Sequence, residues 1–163
     1  MTISKTVQSF IERNSVQYTL LSHPPTPSAS RTAQAAHVPG EKVAKGVVLQ
    51  DGDSHLLAVL PASRELDVGA LNRALGRDLV LAEEGDFSTI FSDCDTGAVP
   101  PVGPAFGIET IVDDALLAQD EVYFEAGDHQ NLVRVKGDDF ARLMGQVPRG
   151  QFSRVPHGSE VVS

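Results

Sequence analysis

The sequence predicts an α+β fold: a single domain with a mixed, mostly antiparallel central sheet and flanking helices. Three observations carry this. The chain has 163 residues, one domain's worth and enough to bury roughly 70% of the surface its unfolded form exposes. Helical and strand patterns interleave without a strict βαβ rhythm, which argues against a doubly wound parallel sheet. Two pairs of strand candidates are joined by short Gly- and Asp-containing turns, the mark of antiparallel hairpins. Hydrophobic residues make up 41% and aromatics only 6%, with no Trp. The core must therefore come mainly from Leu, Val, Ile and Ala.

The elements follow in order. Residues 3–14 place Ile3, Val7, Phe10 and Ile11 on one helical stripe. Val16 to Leu21 is rich in β-formers and stops at His23-Pro24-Pro25. Residues 28–37 suit a short helix capped by Ser28 or Ser30 and broken at Gly40. Lys42–Gln50 and His55–Pro61 read as two strands around Asp51-Gly52-Asp53, a hairpin signal. Asp67 can cap a helix with Leu71 and Leu75 on one face, closed by Gly76. A short strand at Asp78–Leu81 and a weakly patterned helix at Glu83–Phe91 come next.

The segment from Asp93 to Gly103 holds two glycines and the pair Pro100-Pro101, which preclude a helix or a central strand. A rigid, solvent-accessible loop is expected there. Three strands follow at Ile108–Val112, Val122–Ala126 and Leu132–Lys136, the last two joined through Gly127-Asp128. A final helix spans Asp138–Met144, capped by Asp138 or Asp139. Residues 1–147 are expected to form the domain, and 148–163, polar and punctuated by Pro and Gly, a flexible C-terminal tail.

Composition and motifs exclude several function classes. A single Cys, Cys94, rules out a disulfide framework and a multi-Cys zinc site. The longest apolar stretch, Leu56–Ala62, is too short to span a bilayer, and the N-terminal residues lack a signal-peptide layout. A cytoplasmic protein with no membrane partner is expected. The P-loop, GxGxxG, HExxH, CxxC and GxSxG signatures are absent from the sequence. The five histidines show no ligand spacing, so no metal is expected. Net charge is −9, but residues 1–50 carry +3 and the remainder −12. Such a chain is a poor candidate for broad nucleic-acid binding, and no DNA partner is expected. A local basic patch remains compatible with gripping one end of a nucleic acid.

Three segments carry chemistry. Lys45 lies in KVAKGVVL among apolar residues; it either snorkels at the sheet rim or points into a pocket. The TGAVPPVG loop offers the N–H groups of Gly97, Ala98 and Val99 ahead of two prolines that have none. It is either a tight structural turn or a cradle for a carbonyl or phosphate oxygen. In Ala126-Gly127-Asp128-His129 a histidine sits in a strand-to-strand turn, either solvent-facing or catalytic. Cys94 stands between Asp93 and Asp95. Neighbouring carboxylates raise a thiol's pKa and work against a nucleophilic thiolate.

Taken in this order, the segments resemble the YbaK/ProX family of aminoacyl-tRNA deacylases, the superfamily of the editing domain inserted in bacterial prolyl-tRNA synthetases. The resemblance rests on Lys45 in KVAKGVVL, the hairpin into HLLAVLP, the Leu66-Asp67 to Gly76 helix, DCDTGAVPPVG, Val112-Asp113, and EAGDH running into LVRV and a last helix containing Asp139-Phe140. It spans about residues 3–146 and implies the YbaK/prolyl-tRNA-synthetase-associated fold. It further implies a trans-acting hydrolase that cleaves the ester of mischarged tRNA without cofactor, metal or covalent nucleophile. The catalytic residues it implies are Lys45, Gly97 and His129. Gly46, Thr96, Ala98, Val99, Pro100, Gly127 and Asp128 are expected to contact substrate. The partner is the acceptor end of an aminoacyl-tRNA, and the resemblance admits an aminoacyl-tRNA synthetase as a second. Two alternatives stand beside this reading: an inactive binding module of the same fold for aminoacyl-tRNA or a nucleotide, and an unrelated thiol hydrolase using Cys94.

Overall fold

The computed structural model describes residues 3–26 and 28–156. The first helix, α1 (Lys5–Arg13), buries Val7, Phe10 and Ile11, and its cap Ser4 accepts the Val7 N–H at 3.2 Å. Then come β1 (Thr19–Ser22) and α2 (Ala29–Ala35), the latter capped by Ser28. A 3-10 turn at Gly40–Lys42 leads into the hairpin of β2 (Val43–Asp51) and β3 (Ser54–Pro61). The hairpin turn has Gly52 at φ +60°. Beyond it lie β4 (Glu65–Leu66), α3 (Val68–Leu75) capped by Asp67, β5 (Val80–Leu81) and the single turn α4 (Glu84–Phe87). The weakly patterned helix at Glu83–Phe91 is thus helical only over that turn.

After the loop, α5 (Gly103–Phe106) precedes β6 (Glu109–Asp113), α6 (Asp114–Leu117), β7 (Glu121–Glu125), β8 (Asn131–Lys136), α7 (Gly137–Met144), β9 (Arg149–Gly150) and β10 (Ser153–Arg154). The main sheet runs β1-β8-β7-β2-β3-β6-β9, with β5 also on β2; β4 and β10 form a separate pair. Four of its pairings are antiparallel and three (β2–β7, β3–β6, β6–β9) parallel. The mixed, mostly antiparallel α+β sheet is as the sequence predicts. Among the described residues no helix is long and apolar enough to cross a membrane.

Strand β3 is buried on both faces. Leu57 and Val59 join the core under α1 and α7, while Leu56, Ala58 and Leu60 pack with Leu71 of α3. This explains why the strand is continuously apolar from Leu56 to Pro61 where a half-exposed strand alternates.

Two expectations are corrected. The last helix starts at Gly137, and no side chain caps it; the Asp120 carbonyl accepts the Gly137 N–H at 2.9 Å instead. Asp138 and Asp139 lie in the first turn, where they complement the helix dipole rather than cap it. Nor do residues 148–156 form a loose tail. β9 pairs with β6, Phe152 is buried, and the buried Asp113 carboxylate accepts the Phe152 N–H at 3.0 Å. Residues 157–163 of the expected tail lie outside the described residues.

Candidate active site

The site forms where the sheet forks. β2 and β7 run parallel in register through Val43–Tyr123 and Ala44–Phe124, and the pairing ends there. Farther along, the same edge of β2 is taken by β5 at Leu49 and Gln50. Between them the edge at Lys45 and Gly46 is open. The next residue on each diverging strand is Lys45 on β2 and Glu125 on β7. A cleft of about 190 Å³ opens at the fork, walled by Lys45, Gly46, Gly97, Val99, Glu125 and His129, with Thr26, Ser28, Ala29 and Thr32 of the α2 region and Leu132 closing it.

Lys45 is half-buried and, among the described residues, makes no ion pair. Burial lowers its ammonium below the ordinary lysine range, and the field of Glu65 opposes that only in part. A desolvated cation without a partner is costly for the fold, and its place in a cleft makes it a candidate functional group. Gly46 lets Leu57 and Val99 close in beside it: a Cβ there would stand 2.8 Å from Leu57 Cδ1 and 3.4 Å from Val99 Cγ1.

The EAGDH turn is built around one carboxylate oxygen. Glu125 Oε2 accepts the N–H groups of Gly127 (2.7 Å), Asp128 (3.0 Å) and His129 (3.0 Å). These bonds hold His129 at φ +60°, a left-handed conformation unusual for a non-glycine residue. Its Nε2 meets the Thr96 carbonyl at 2.6 Å. A carbonyl can only accept, so Nε2 carries the proton and Nδ1 is left to accept one in the neutral ring.

The turn thereby ties itself to the loop. Asp95 N–H donates to the Gly127 carbonyl at 2.8 Å, and Gly97 adopts φ +80°, which glycine alone takes without strain. The loop is not accessible throughout: Asp95, Thr96 and Gly97 are exposed, whereas Ala98, Pro100, Pro101 and Val102 are buried. Gly97 and Val99 line the cleft, and the prolines are core.

The predicted site residues therefore divide. Lys45, Gly46, Gly97, Val99 and His129, drawn from three separate segments, meet around one cleft. Thr96 acts through its carbonyl on His129. Ala98 and Pro100 are buried beneath the loop and do not line the cleft. Gly127 is packed against Ser4 and Cys94, where a Cβ would come within 2.9 Å and 3.1 Å of them. Asp128 is buried and spends its carboxylate on the Gln130 and Asn131 amides and the Asn131 side chain. Both organise the turn.

The reading of three free loop amides also needs correction. The Gly97 N–H is taken by Glu84 Oε2 at 2.6 Å and the Ala98 N–H by the Asp95 carbonyl at 2.9 Å. Among the described residues only the Val99 N–H of the three has no acceptor.

Sequence reasoning missed Glu125, Glu84 and the α2 residues. A carboxylate two residues ahead of a Gly-Asp turn full of unpaired amides was the signal for Glu125. Cys94 is half-buried beside Asp93, and burial first, then that carboxylate, pushes its thiol up to about 12. Asp93 itself ties the loop to α1, accepting from Ser4 Oγ (2.8 Å), Thr6 N–H (2.9 Å) and Thr6 Oγ1 (2.8 Å).

No curated protein sequence matches the chain. Among solved structures, a hypothetical protein superposes with a TM-score of 0.78 at 21% identity, over 92% of this chain and 100% of its own. A candidate trans-editing enzyme for prolyl-tRNA synthetase gives 0.76 at 23% identity, over 94% and 99%. A candidate signal transduction protein from Marinobacter aquaeolei gives 0.75 at 21% identity; the match covers 93% of this chain but only 31% of that longer one. At such identities the likeness speaks for the fold. The family model described as the aminoacyl-tRNA editing domain matches residues 23–143, from ahead of α2 to the last turn of α7 and including the whole cleft wall. The chain belongs to the aminoacyl-tRNA editing domain family.

Proposed function

We propose that the chain is an aminoacyl-tRNA deacylase that acts in trans on the acceptor end of mischarged tRNA. The observation that carries this is the convergence of an unpaired lysine, a glycine loop and a histidine on one small cleft in a chain of this family.

The chemistry asks little of the protein. An aminoacyl ester is already activated, so positioning and charge stabilisation suffice. Water adds to the ester carbonyl carbon, the carbonyl oxygen takes up negative charge, and the ribose oxygen leaves with a proton. Lys45 supplies the positive charge toward the developing oxyanion or the adjacent phosphate. The Val99 N–H is the loop donor best placed to help, since those of Gly97 and Ala98 are engaged. His129, with Nε2–H fixed on Thr96, offers Nδ1 to receive the water's proton or to orient the substrate. Cys94 is a poor nucleophile, because burial and Asp93 keep it a thiol at neutral pH.

A net charge of −9 supports a limited contact at the tRNA end. Lys42, Arg64, Arg77, Arg134, Arg142, Arg149 and Arg154 are each engaged by carboxylates, whereas Lys5, Arg13, Arg31, Arg73 and Lys136 form no ion pair among the described residues. A synthetase that hands over the substrate fits this limited footprint.

The test is a panel of aminoacyl-tRNAs assayed for amino-acid release by the purified protein. Release from at least one mischarged tRNA, insensitive to a thiol-alkylating reagent, is expected. Binding of the panel without release would favour the inactive module, and abolition by alkylation would favour Cys94.

A further inference from the structure

Glu125 does more than the turn requires. One oxygen, Oε2, accepts all three turn amides. Oε1 has no hydrogen-bond partner among the described residues, and Glu125 lines the cleft. Among the described residues, Lys45 and Glu125 are the only lysine, arginine or acidic residues on that wall. They follow the last paired residues of β2 and β7, Ala44 and Phe124, yet no ion pair joins them. Two opposite charges at a fork that do not neutralise each other make a cleft with a positive and a negative side.

An aminoacyl ester matches that polarity. Its carbonyl and neighbouring phosphate want a cation, and its free α-ammonium wants an anion. We infer that Glu125 Oε1 is the anchor for the substrate's α-ammonium, so that the cleft selects amino acids carrying a free amine. This rests on the deacylase reading above. A carboxylate whose other oxygen is fixed by three amides cannot swing away, so the acceptor is preorganised and little side-chain freedom is lost on binding. A charge-assisted hydrogen bond of this kind carries about 10–100-fold in affinity.

The test uses 3′-(L-alanylamino)-3′-deoxyadenosine, whose amide replaces the labile ester, and its N-acetyl derivative, with affinities read by calorimetry. The wild-type protein should bind the free amine about 10–100-fold more tightly. Glu125→Gln keeps an oxygen for the turn amides but presents a neutral amide to the cleft. It should bring the two probes to near-equal affinity, whereas loss of turn structure alone would weaken both alike. Asn131→Ala, which loosens the same turn at the Asp128 carboxylate without touching the cleft wall, should keep the preference. Equal binding of both probes by the wild type, a preference surviving in Glu125→Gln, or one lost in Asn131→Ala would each overturn the assignment. The deacylase reading fails separately: amine-selective binding without turnover of any aminoacyl-tRNA would leave the anchor standing, and turnover without amine preference would do the reverse.

Discussion

Strand β2 carries a charged residue toward each end, Lys45 and Asp51, and the molecule treats them differently. At its far end Asp51 receives Arg77 through two hydrogen bonds, at 2.9 and 3.1 Å, and the same guanidinium reaches both oxygens of Glu109 at 3.0 Å. The Arg77 bonds hold the Asp51 carboxyl below its usual range. This network pins the hairpin and α3 to the start of β6. At the near end Lys45 has no such partner, and burial lowers its ammonium. Paired charge at one end ties elements together; on the proposed function, unpaired charge at the other serves a substrate. Stability and activity should therefore separate along one strand.

The largest effect expected is on turnover. Lys45→Met, which keeps the apolar stem and removes the charge, should lower deacylation by about 10²–10³, the usual worth of one charge-stabilising contact. Near wild-type release by the variant would break the comparison. His129→Ala should cost about 10-fold, within the lower range for a general base or a positioning group; an unchanged rate would make it a bystander. Glu84→Ala sharpens the role of the loop. If the carboxylate simply tethers Gly97, turnover falls a few-fold as the loop loosens. A rise would show that the Gly97 N–H is a transition-state donor that Glu84 covers, and would restore Gly97 to the catalytic set. The smallest effect lies at the other end. Arg77→Met should leave turnover unchanged and lower Tm by about 2–4 °C, as loss of a partly exposed charge network does in a chain of this size. A fall in release with no change in Tm would erase the division between the two ends.

Much of the fold was legible because its signals are local. Asp67 and Gly76 bracket α3 as cap and stop, Asp51-Gly52-Asp53 marks the hairpin, and β3 announces its burial by its unbroken apolar run from Leu56. The chemistry-bearing segments were legible as types: a lysine in a strand, a Gly-Pro loop, a His turn. Their limits were not, because those depend on long-range register. Nothing near Lys45 says that pairing with β7 ends at Ala44, a contact with Phe124 far along the chain. That register, not local spacing, makes Glu125 the residue opposite Lys45. The loop amides misled for a similar reason, since Glu84 reaches Gly97 from an element of a single turn whose pattern was weak. The C-terminal segment read as polar and loose. Phe152 was its one strong apolar anchor, and the partner that fixes it, Asp113, lies on β6.

The central claim is that the Lys45 charge is held for a substrate and not for the fold. Unfolding free energy measured against pH, for the wild type and Lys45→Met side by side, tests it most directly. Because burial lowers the Lys45 pKa, the unfolded chain binds more protons there than the native one between the lowered value and the ordinary lysine value of about 10.4. Wild-type stability relative to the variant should therefore rise with pH through that window. Below it, at neutral pH, Lys45→Met should be as stable as the wild type or more stable by up to about 1 kcal/mol. A variant less stable by about 1 kcal/mol or more at neutral pH, with a difference that does not change as pH rises, would mean that Lys45 serves the fold, and the account would be contradicted.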